Sequence, residues 1–296
     1  MSQTHALPLF RNPESLPWDL LLARKALRVL GRGHSVARAL LRQRLETIGI
    51  VRLASSFGFD ILVDPSDYLG WAIFMHATHE PEVTSLVLEQ MSNGGLFVDV
   101  GANHGWFSLL AATKVRSSGG RVWAFEPQAR LSGLLRHSST LNGLSNLTVV
   151  QAAVGRKKGR GRIEQRRARH SGFVSVSATA DSVGDIDVTC LDGVLEGQVP
   201  VAVKIDVEGN ELAVLEGMSS LLADTRLRCL IIEVHPALMT ALGDDPGDLL
   251  ALLENAGFTV QLLGVTARGT RRPTLSPIPQ SFRQISCFNI VAQRRR

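Results

Sequence analysis

The feature that most constrains the fold is an apolar strand that ends in an acid and runs into a tight glycine turn. Strand and turn together read Phe97-Val98-Asp99-Val100-Gly101-Ala102-Asn103-His104-Gly105. About twenty residues further on, a second apolar strand ends at Glu126-Pro127. A strand, a glycine turn, a helix and a second acid-tipped strand predict the first half of a nucleotide-type binding crevice.

Downstream of this turn, strand and helix patterns alternate. The predicted strands are 96–100, 121–126, 147–151, 186–190, 200–206, 228–234, 258–263 and 286–292, and the predicted helices are 105–115, 128–141, 209–222 and 246–256. Such alternation predicts an α/β fold of the Rossmann-like, doubly wound type, with a mostly parallel sheet and helices on both faces.

The chain before the glycine strand divides into two segments. Residues 1–49 predict a basic helical extension, because apolar residues recur every three or four positions from Trp18 to Leu45 with arginines between them. Residues 50–95 hold two short β-leaning pieces and a helix, which predict a cap or lead-in segment. Residues 96–296 form the predicted Rossmann-like domain.

Composition narrows the class of protein. No run of about 18 apolar residues is free of charge, so we expect no membrane-spanning helix. The start of the chain does not resemble a signal peptide, and three widely spaced cysteines are typical of a reduced, cytoplasmic protein. Residues 156–170 hold eight lysines or arginines and one acid, a local charge of +7 in a chain of net charge +5. This run predicts a solvated loop or an anion-attracting surface.

The glycine turn indicates which nucleotide binds. It has neither the G-x-G-x-x-G spacing nor the lysine of a phosphate loop, and Asp99 and Glu126 place two acids at adjacent strand ends. Acids suit a ligand with positive charge and ribose hydroxyls, so we predict S-adenosylmethionine as the cofactor. The predicted cofactor-binding residues are Asp99, Gly101, Asn103, Gly105 and Glu126, with Asn142 on the adenine side and Glu126 on the ribose hydroxyls.

A second group of polar residues follows two later strands. Val203-Lys204-Ile205-Asp206-Val207-Glu208-Gly209-Asn210-Glu211 carries acids past the end of one strand, and Ile232-Glu233-Val234-His235 ends the next. The carboxyl ends of parallel strands meet at one edge of the sheet, where ligands bind. These residues therefore belong to the same predicted site.

Taken together, these motifs resemble the FkbM-type S-adenosylmethionine-dependent methyltransferases. The match extends from about residue 80 to residue 292, and its most particular string is Lys204-Ile205-Asp206-Val207-Glu208-Gly209. The resemblance implies a seven-stranded methyltransferase sheet. It also implies O-methylation of a hydroxyl on a sugar, polyketide or other natural product, free or linked to a carrier.

Methyl transfer to a hydroxyl needs a base, because the acceptor must lose a proton as it attacks. Asp206 and His235 are the candidate catalytic residues: Asp206 for its position and His235 for its ordinary pKa near neutrality. We predict no metal, although Asp206, Glu208, Glu233 and His235 are also residue types that bind divalent ions.

Two other functions remain compatible with the sequence. The basic 156–170 segment and the arginine tail are compatible with a methyltransferase acting on RNA. We consider nucleic acid a less favoured partner, because no aromatic residues for base stacking lie within the basic run. The other alternative is a non-catalytic protein that binds S-adenosylmethionine. The sequence indicates neither the acceptor nor the oligomeric state.

Overall fold

The structure is a computed structural model that describes residues 10–12, 16–18, 20–22, 25, 41, 43–163, 185–264 and 273–294. Its strands are β1 (Phe10–Arg11), β2 (Ile50–Ala54), β3 (Asp60–Val63), β4 (Leu96–Val100), β5 (Arg121–Phe125), β6 (Leu147–Val150), β7 (Ala153–Val154), β8 (Gly159–Gly161), β9 (Ile186–Thr189), β10 (Ala202–Ile205), β11 (Cys229–Val234), β12 (Phe258–Gly264), β13 (Thr274–Ser276) and β14 (Phe288–Arg294). Its α-helices are α1 (Tyr68–His76), α2 (Pro81–Gln90), α3 (Trp106–Val115), α4 (Ala129–Leu141), α5 (Leu191–Val194), α6 (Glu211–Glu216), α7 (Ser219–Ala223), α8 (Pro236–Ala241) and α9 (Pro246–Asn255).

A central sheet organises the described residues, with strand order β13-β12-β14-β11-β10-β4-β5-β6. The five neighbours from β11 to β6 are parallel, and β14 runs antiparallel between β11 and β12. Chain order reverses between β4 and β10, because β5 and β6 extend the sheet to one side and β11 extends it to the other. Such a switch point opens a crevice at the carboxyl ends of the strands.

The predicted Rossmann-like, mostly parallel sheet is confirmed, but it has eight strands instead of seven. The additional strand β13 pairs antiparallel with the end of β12. It has only three residues and is largely exposed, so no apolar alternation in the sequence reveals it. The predicted strand 186–190 lies outside the central sheet, as β9 between β7 and β8.

Two apolar layers enclose the sheet. All five residues of β4 are buried, and their side chains alternate between the layers, so that Val98 and Val100 lie on one face and Phe97 lies on the other. Helices α2 and α3 contribute to the layer around Phe97, and α6, α7 and α9 contribute to the layer around Val98. Helices therefore cover both faces, as doubly wound sheets require.

The lead-in segment packs onto this domain. Trp71 and Phe74 of α1 are buried in the same apolar layer as Phe97, and Leu62 of β3 packs on Leu131 and Leu134 of α4. In the predicted basic helical extension, residues 18, 20–22 and 43–48 are helical, and residues 26–40 lie outside the described residues. None of the helices in the described part of the chain is long and apolar enough to cross a membrane.

Candidate cofactor cleft and acceptor site

An open cleft of about 580 Å³ lies at the switch point, at the carboxyl ends of β4, β5 and β10. Of the predicted site residues, four line it: Gly101, Asn103, Glu126 and Asp206. The remaining wall residues are Val100, Phe125, Pro127, Gln128, Ala152, Ala153, Val154, Val207, Glu208 and Asn210. Residues from three separate sequence motifs, which each follow a parallel strand, therefore lie in one cleft.

The glycines of the turn serve close packing. Gly101 has φ +82°, and a Cβ added there would lie 1.8 Å from the carbonyl oxygen of Asp206, so the turn can lie against the end of β10 only without a side chain. Gly105 has φ +88°, and its Cβ would lie 2.1 Å from Cδ1 of Leu135 in α4. Gly101 therefore belongs to the cleft wall, whereas Gly105 lets α4 approach the start of α3.

Backbone N–H groups hold Glu126 at the end of β5. The Asn103 N–H donates to Oε2 over 2.9 Å, and the Gln128 N–H donates to Oε1 over 2.9 Å. Burial nevertheless raises the pKa of this carboxyl to about 7, because these two bonds only partly offset desolvation of the charged form. Glu126 therefore presents a fixed, nearly enclosed carboxyl to the cleft.

Asp99 lies beneath the cleft instead of in its wall. It shares the sheet face of Phe97, and its Oδ2 accepts a 2.5 Å hydrogen bond from Ser108 Oγ in α3. On the next strand its register partner is Lys204. Burial raises the pKa of Asp99, with Lys204 and Ser108 acting in the opposite direction. Asp99 therefore connects β4 with α3 and with the charge of Lys204, and it is not among the residues that line the cleft.

Lys204 is a buried cation among acids. Its Nζ donates to Asp206 Oδ2 over 2.9 Å and lies 4.9 Å from the ring centroid of Phe107. Burial acts to lower its pKa, but Asp206, Asp99, Glu80 and Glu233 together raise it. The ammonium is therefore permanently charged, and it lowers the pKa of Asp206 even though burial of that carboxyl acts in the opposite direction.

Glu208 is a wall residue with an unusual backbone. Its φ is +47°, a left-handed conformation that a residue with a side chain rarely adopts, and strain of this kind is found at functional sites. Burial, and next the charge of Asp206, raise the pKa of Glu208 to about 7. The sequence motif includes Glu208, but nothing in the motif distinguishes it from Asp206 as a reactive group.

His235 follows β11 and meets residues from three segments. Its Nδ1 lies 3.3 Å from Oε1 of the fully buried Glu211, and its Nε2 lies 3.8 Å from Oε1 of Glu233. Cys287 Sγ contacts that same Glu233 oxygen over 2.6 Å. Burial acts to lower the pKa of His235, but hydrogen bonding to Cys287 and Glu211 outweighs it and raises the pKa to about 11.

Cys287 joins this group without any signal in the sequence. The antiparallel register pairs Val234 with Phe288, and so brings Cys287 beside the end of β11. Among the described residues, Glu233, His235 and Cys287 form one set of three in which one potential metal-binding atom from each lies within 4.8 Å of the others.

Asn142 lies away from the cleft, where it joins α4 to the lead-in segment. Its Oδ1 accepts from the Asp60 N–H over 2.7 Å, and its Nδ2 donates to the carbonyls of Asp60 and Ser138. Both amide protons are used in these bonds. The adenine contact predicted for Asn142 has no support from this arrangement.

The described start of the basic run is engaged in ion pairs. Arg156 pairs with Glu216 and, over 2.9 Å, with Asp244, and Arg160 pairs with Asp187. Residues 164–170, which carry Arg166, Arg167 and Arg169 of the predicted basic surface, lie outside the described residues.

The fold and the cleft define a class of protein, the Rossmann-like, doubly wound domains with a ligand cleft at the switch point. The sequence matches the Methyltransferase FkbM domain over residues 99–260, more than half of the chain. The chain therefore belongs to the FkbM methyltransferase family, it is a methyltransferase, and S-adenosylmethionine is its cofactor.

One relative in sequence agrees with this assignment, and two solved structures are similar to the chain in fold. The chain is 30% identical over 191 residues to the hexuronic acid methyltransferase AglP of Haloferax volcanii. This alignment covers 62% of the present chain and 71% of AglP. The fold of the present chain is similar to that of an FkbM methyltransferase from Methylobacillus flagellatus, with 22% identity and a TM-score of 0.42. The match covers 87% of the present chain and 59% of the other. The present chain is also similar to magnesium protoporphyrin IX methyltransferase of Synechocystis PCC 6803 with bound SAH, at 14% identity and a TM-score of 0.39, covering 77% and 88% of the two chains.

Proposed function

We propose that this methyltransferase transfers a methyl group to a hydroxyl of a sugar-containing acceptor. Support comes from the 30% identity with AglP, which acts on a hexuronic acid. The observation that carries the proposal is that Asp206, an unprotonated carboxylate, stands in the cleft wall at the end of β10. A hydroxyl acceptor requires such a proton acceptor, because it must lose its proton as the new bond forms.

In this proposal the acidic end of the cleft binds the cofactor. Glu126 accepts hydrogen bonds from the ribose hydroxyls, since it lines the cleft and two backbone N–H groups hold its carboxyl in place. Gly101 leaves room beside the end of β10, and Asn103 lines the same wall. A cleft with these acids suits the positive charge and the diol of S-adenosylmethionine, which supplies an electrophilic methyl group when bound.

Asp206 is the base in this scheme. Its pKa is lowered, so it is charged at neutral pH, and Lys204 holds its carboxylate in a fixed position. A carboxylate of this kind takes the proton of the acceptor hydroxyl only as that hydroxyl attacks the methyl group. His235 is protonated at the same pH because its pKa is about 11. It cannot accept a proton in that state, so we give His235 a role in binding and orientation at the acceptor side.

The experiment compares acceptors and variants with radiolabelled S-adenosylmethionine. We expect methyl transfer to an oligosaccharide that carries a hexuronic acid, lower transfer to its neutral-sugar counterpart, and none to a short RNA. Asp206→Asn should lower kcat about 10²–10⁴-fold, the usual contribution of a general base.

Asp248→Asn is the matched control, because it makes the same change at an exposed site in the first turn of α9. Transfer to RNA but to no sugar would overturn the proposed acceptor class. Full activity of Asp206→Asn would overturn the assigned base.

A further inference from the structure

We propose that Glu233, His235 and Cys287 form a binding site for one divalent transition-metal ion, with Zn²⁺ as the ion that suits the ligand set. One thiolate, one imidazole and one carboxylate are the three ligand types that zinc takes in proteins. No single segment contains the set, since Glu233 and His235 flank the end of β11 whereas Cys287 precedes β14. The site goes beyond the methyl-donor cleft, and neither Glu233 nor Cys287 has a part in the proposed reaction. His235 would release its proton when it binds the ion.

The spacing of the ligand atoms fits a single ion after a small adjustment. In a tetrahedral zinc site the ligand atoms lie about 3.3–3.5 Å apart, given bonds of about 2.0–2.3 Å. His235 Nε2 and Glu233 Oε1 are already 3.8 Å apart. Cys287 Sγ is 2.6 Å from Oε1 and must move outward by about 1 Å to reach that spacing. The side chains of His235 and Glu233 are 15% and 19% exposed, which leaves the ion a path from solvent.

Glu211 holds the imidazole in the orientation of a metal ligand. The carboxylate Oε1 of Glu211 faces Nδ1 of His235 over 3.3 Å, and the Gly209 N–H fixes the same oxygen over 2.8 Å. Metal-binding histidines commonly donate their other ring N–H to a carboxylate, which fixes the tautomer and leaves the second nitrogen for the ion. Here that second nitrogen, Nε2, is the one that faces Glu233. Glu211 is fully buried, so it has no role on the surface.

The charge of the surroundings favours a cation. Beside Glu233 lie the carboxyls of Asp206 and Glu80, whose negative charges act on it. The fixed cation of this region is Lys204, which is already paired with Asp206. An ion of charge +2 between Glu233, His235 and Cys287 would offset the excess of carboxylates.

A catalytic role for this ion rests on the proposed function. Three protein ligands leave a fourth position open, and an acceptor hydroxyl that reaches it has a lowered pKa. The hydroxyl proton then passes to Asp206, the oxygen forms a bond to the methyl carbon, and the carbon–sulfur bond of the donor breaks with its electron pair remaining on sulfur. Asp206 is suitably placed because it lines the cleft and its carboxyl interacts with Glu233.

The test measures metal binding by the full chain without any acceptor. After treatment with a chelator, we expect calorimetry to show one Zn²⁺ per chain, and Co²⁺ to produce a thiolate-to-metal charge-transfer absorption. Cys287→Ser should abolish that absorption and weaken Zn²⁺ binding about 100-fold or more, while Glu211→Gln should weaken it about 10–100-fold with the absorption retained.

Cys190→Ser is the matched control, because Cys190 is another partly exposed cysteine and lies outside the site. Absence of Zn²⁺ binding by the wild-type chain would overturn the proposal, and so would equal binding by Cys287→Ser with its circular dichroism unchanged. Because no acceptor is present, these outcomes are independent of whether the acceptor is a sugar.

Discussion

At the scale of the residue, the proposed ribose contact of Glu126 makes cofactor binding depend on the ionisation of that carboxyl. Its pKa of about 7 means that the carboxyl is mostly protonated at pH 6 and mostly charged at pH 8. Hydroxyl donors bind the charged form better, so the affinity for S-adenosylhomocysteine should rise about tenfold between pH 6 and pH 8. Calorimetry at a series of pH values measures this change.

Glu126→Gln should bind weakly and without that pH dependence. Glu208→Gln is the control, because Glu208 lines the same cleft and also has a pKa of about 7. If Glu208→Gln abolished the pH dependence and Glu126→Gln retained it, the ribose contact would belong to Glu208.

The same raised pKa affects stability in the opposite direction. A carboxyl whose pKa is higher in the folded chain than in the unfolded chain binds a proton more readily when folded. The unfolded glutamate ionises near pH 4.5, so the contribution of Glu126 to the free energy of unfolding decreases as the pH rises from about 4.5 to about 7. The site therefore trades some stability at neutral pH for a charged group facing the cofactor.

At the scale of the element, the glycine turn packs against the end of β10 so closely that no side chain fits between them at Gly101. Gly101→Ala should destabilise the chain for two reasons, the positive φ and the overlap of the new Cβ with the Asp206 carbonyl. Gly119→Ala is the control that isolates the effect of the positive φ, because Gly119 has φ +72° and nothing lies within 4 Å of the added Cβ. We expect Gly119→Ala to cost about 1–2 kcal/mol and Gly101→Ala to cost about 1–3 kcal/mol more.

Urea unfolding measures both free energies. Equal costs at the two positions would show that the turn can move away from β10, and the argument for close packing would then be wrong.

The joint between α4 and β3 depends on Asn142. Loss of its three hydrogen bonds in Asn142→Ala should lower the free energy of unfolding by about 1–3 kcal/mol and leave cofactor affinity unchanged. Asn146→Ala is a matched control, because its amide also donates to two backbone carbonyls, those of Ala112 and Gly120. A selective loss of cofactor affinity in Asn142→Ala would instead support the predicted adenine contact.

At the scale of the whole molecule, the cleft joins the two halves of the sheet. Its walls come from β4 and β5 on one side of the switch point and from β10 on the other. A ligand that binds only the folded arrangement should raise the free energy of unfolding by about 2.7 kcal/mol at a concentration 100 times its Kd. Urea unfolding with and without S-adenosylhomocysteine measures this increase.

At that same ligand concentration, Glu126→Ala should show a much smaller increase. An unchanged free energy of unfolding in the wild-type chain would mean that the cofactor does not require the assembled cleft.

Local patterns in the sequence were sufficient to predict the layered α/β fold and the edge at which the site lies. Four apolar runs of strand length carried an acid at or next to their ends, and parallel strands bring such ends to one edge whatever the details of packing. Glu126 and Asp206 therefore reached the cleft as predicted, and Gly101 and Asn103 accompanied them.

Tertiary structure alone decided where each side chain points and which distant segments meet. Asp99 lies one residue before the end of β4, and alternation along that strand turns it towards Lys204 instead of the cleft. Cys287 and Asn142 contact residues 54 and 82 positions away in sequence, through strand register and helix packing. The periodicity of a sequence indicates on which face of its helix or strand a residue lies. It does not indicate which other element packs against that face, because that depends on how the elements assemble. For this reason the sequence alone determined the edge of the sheet at which the cleft lies, and the Glu233, His235 and Cys287 cluster appeared only in the folded chain.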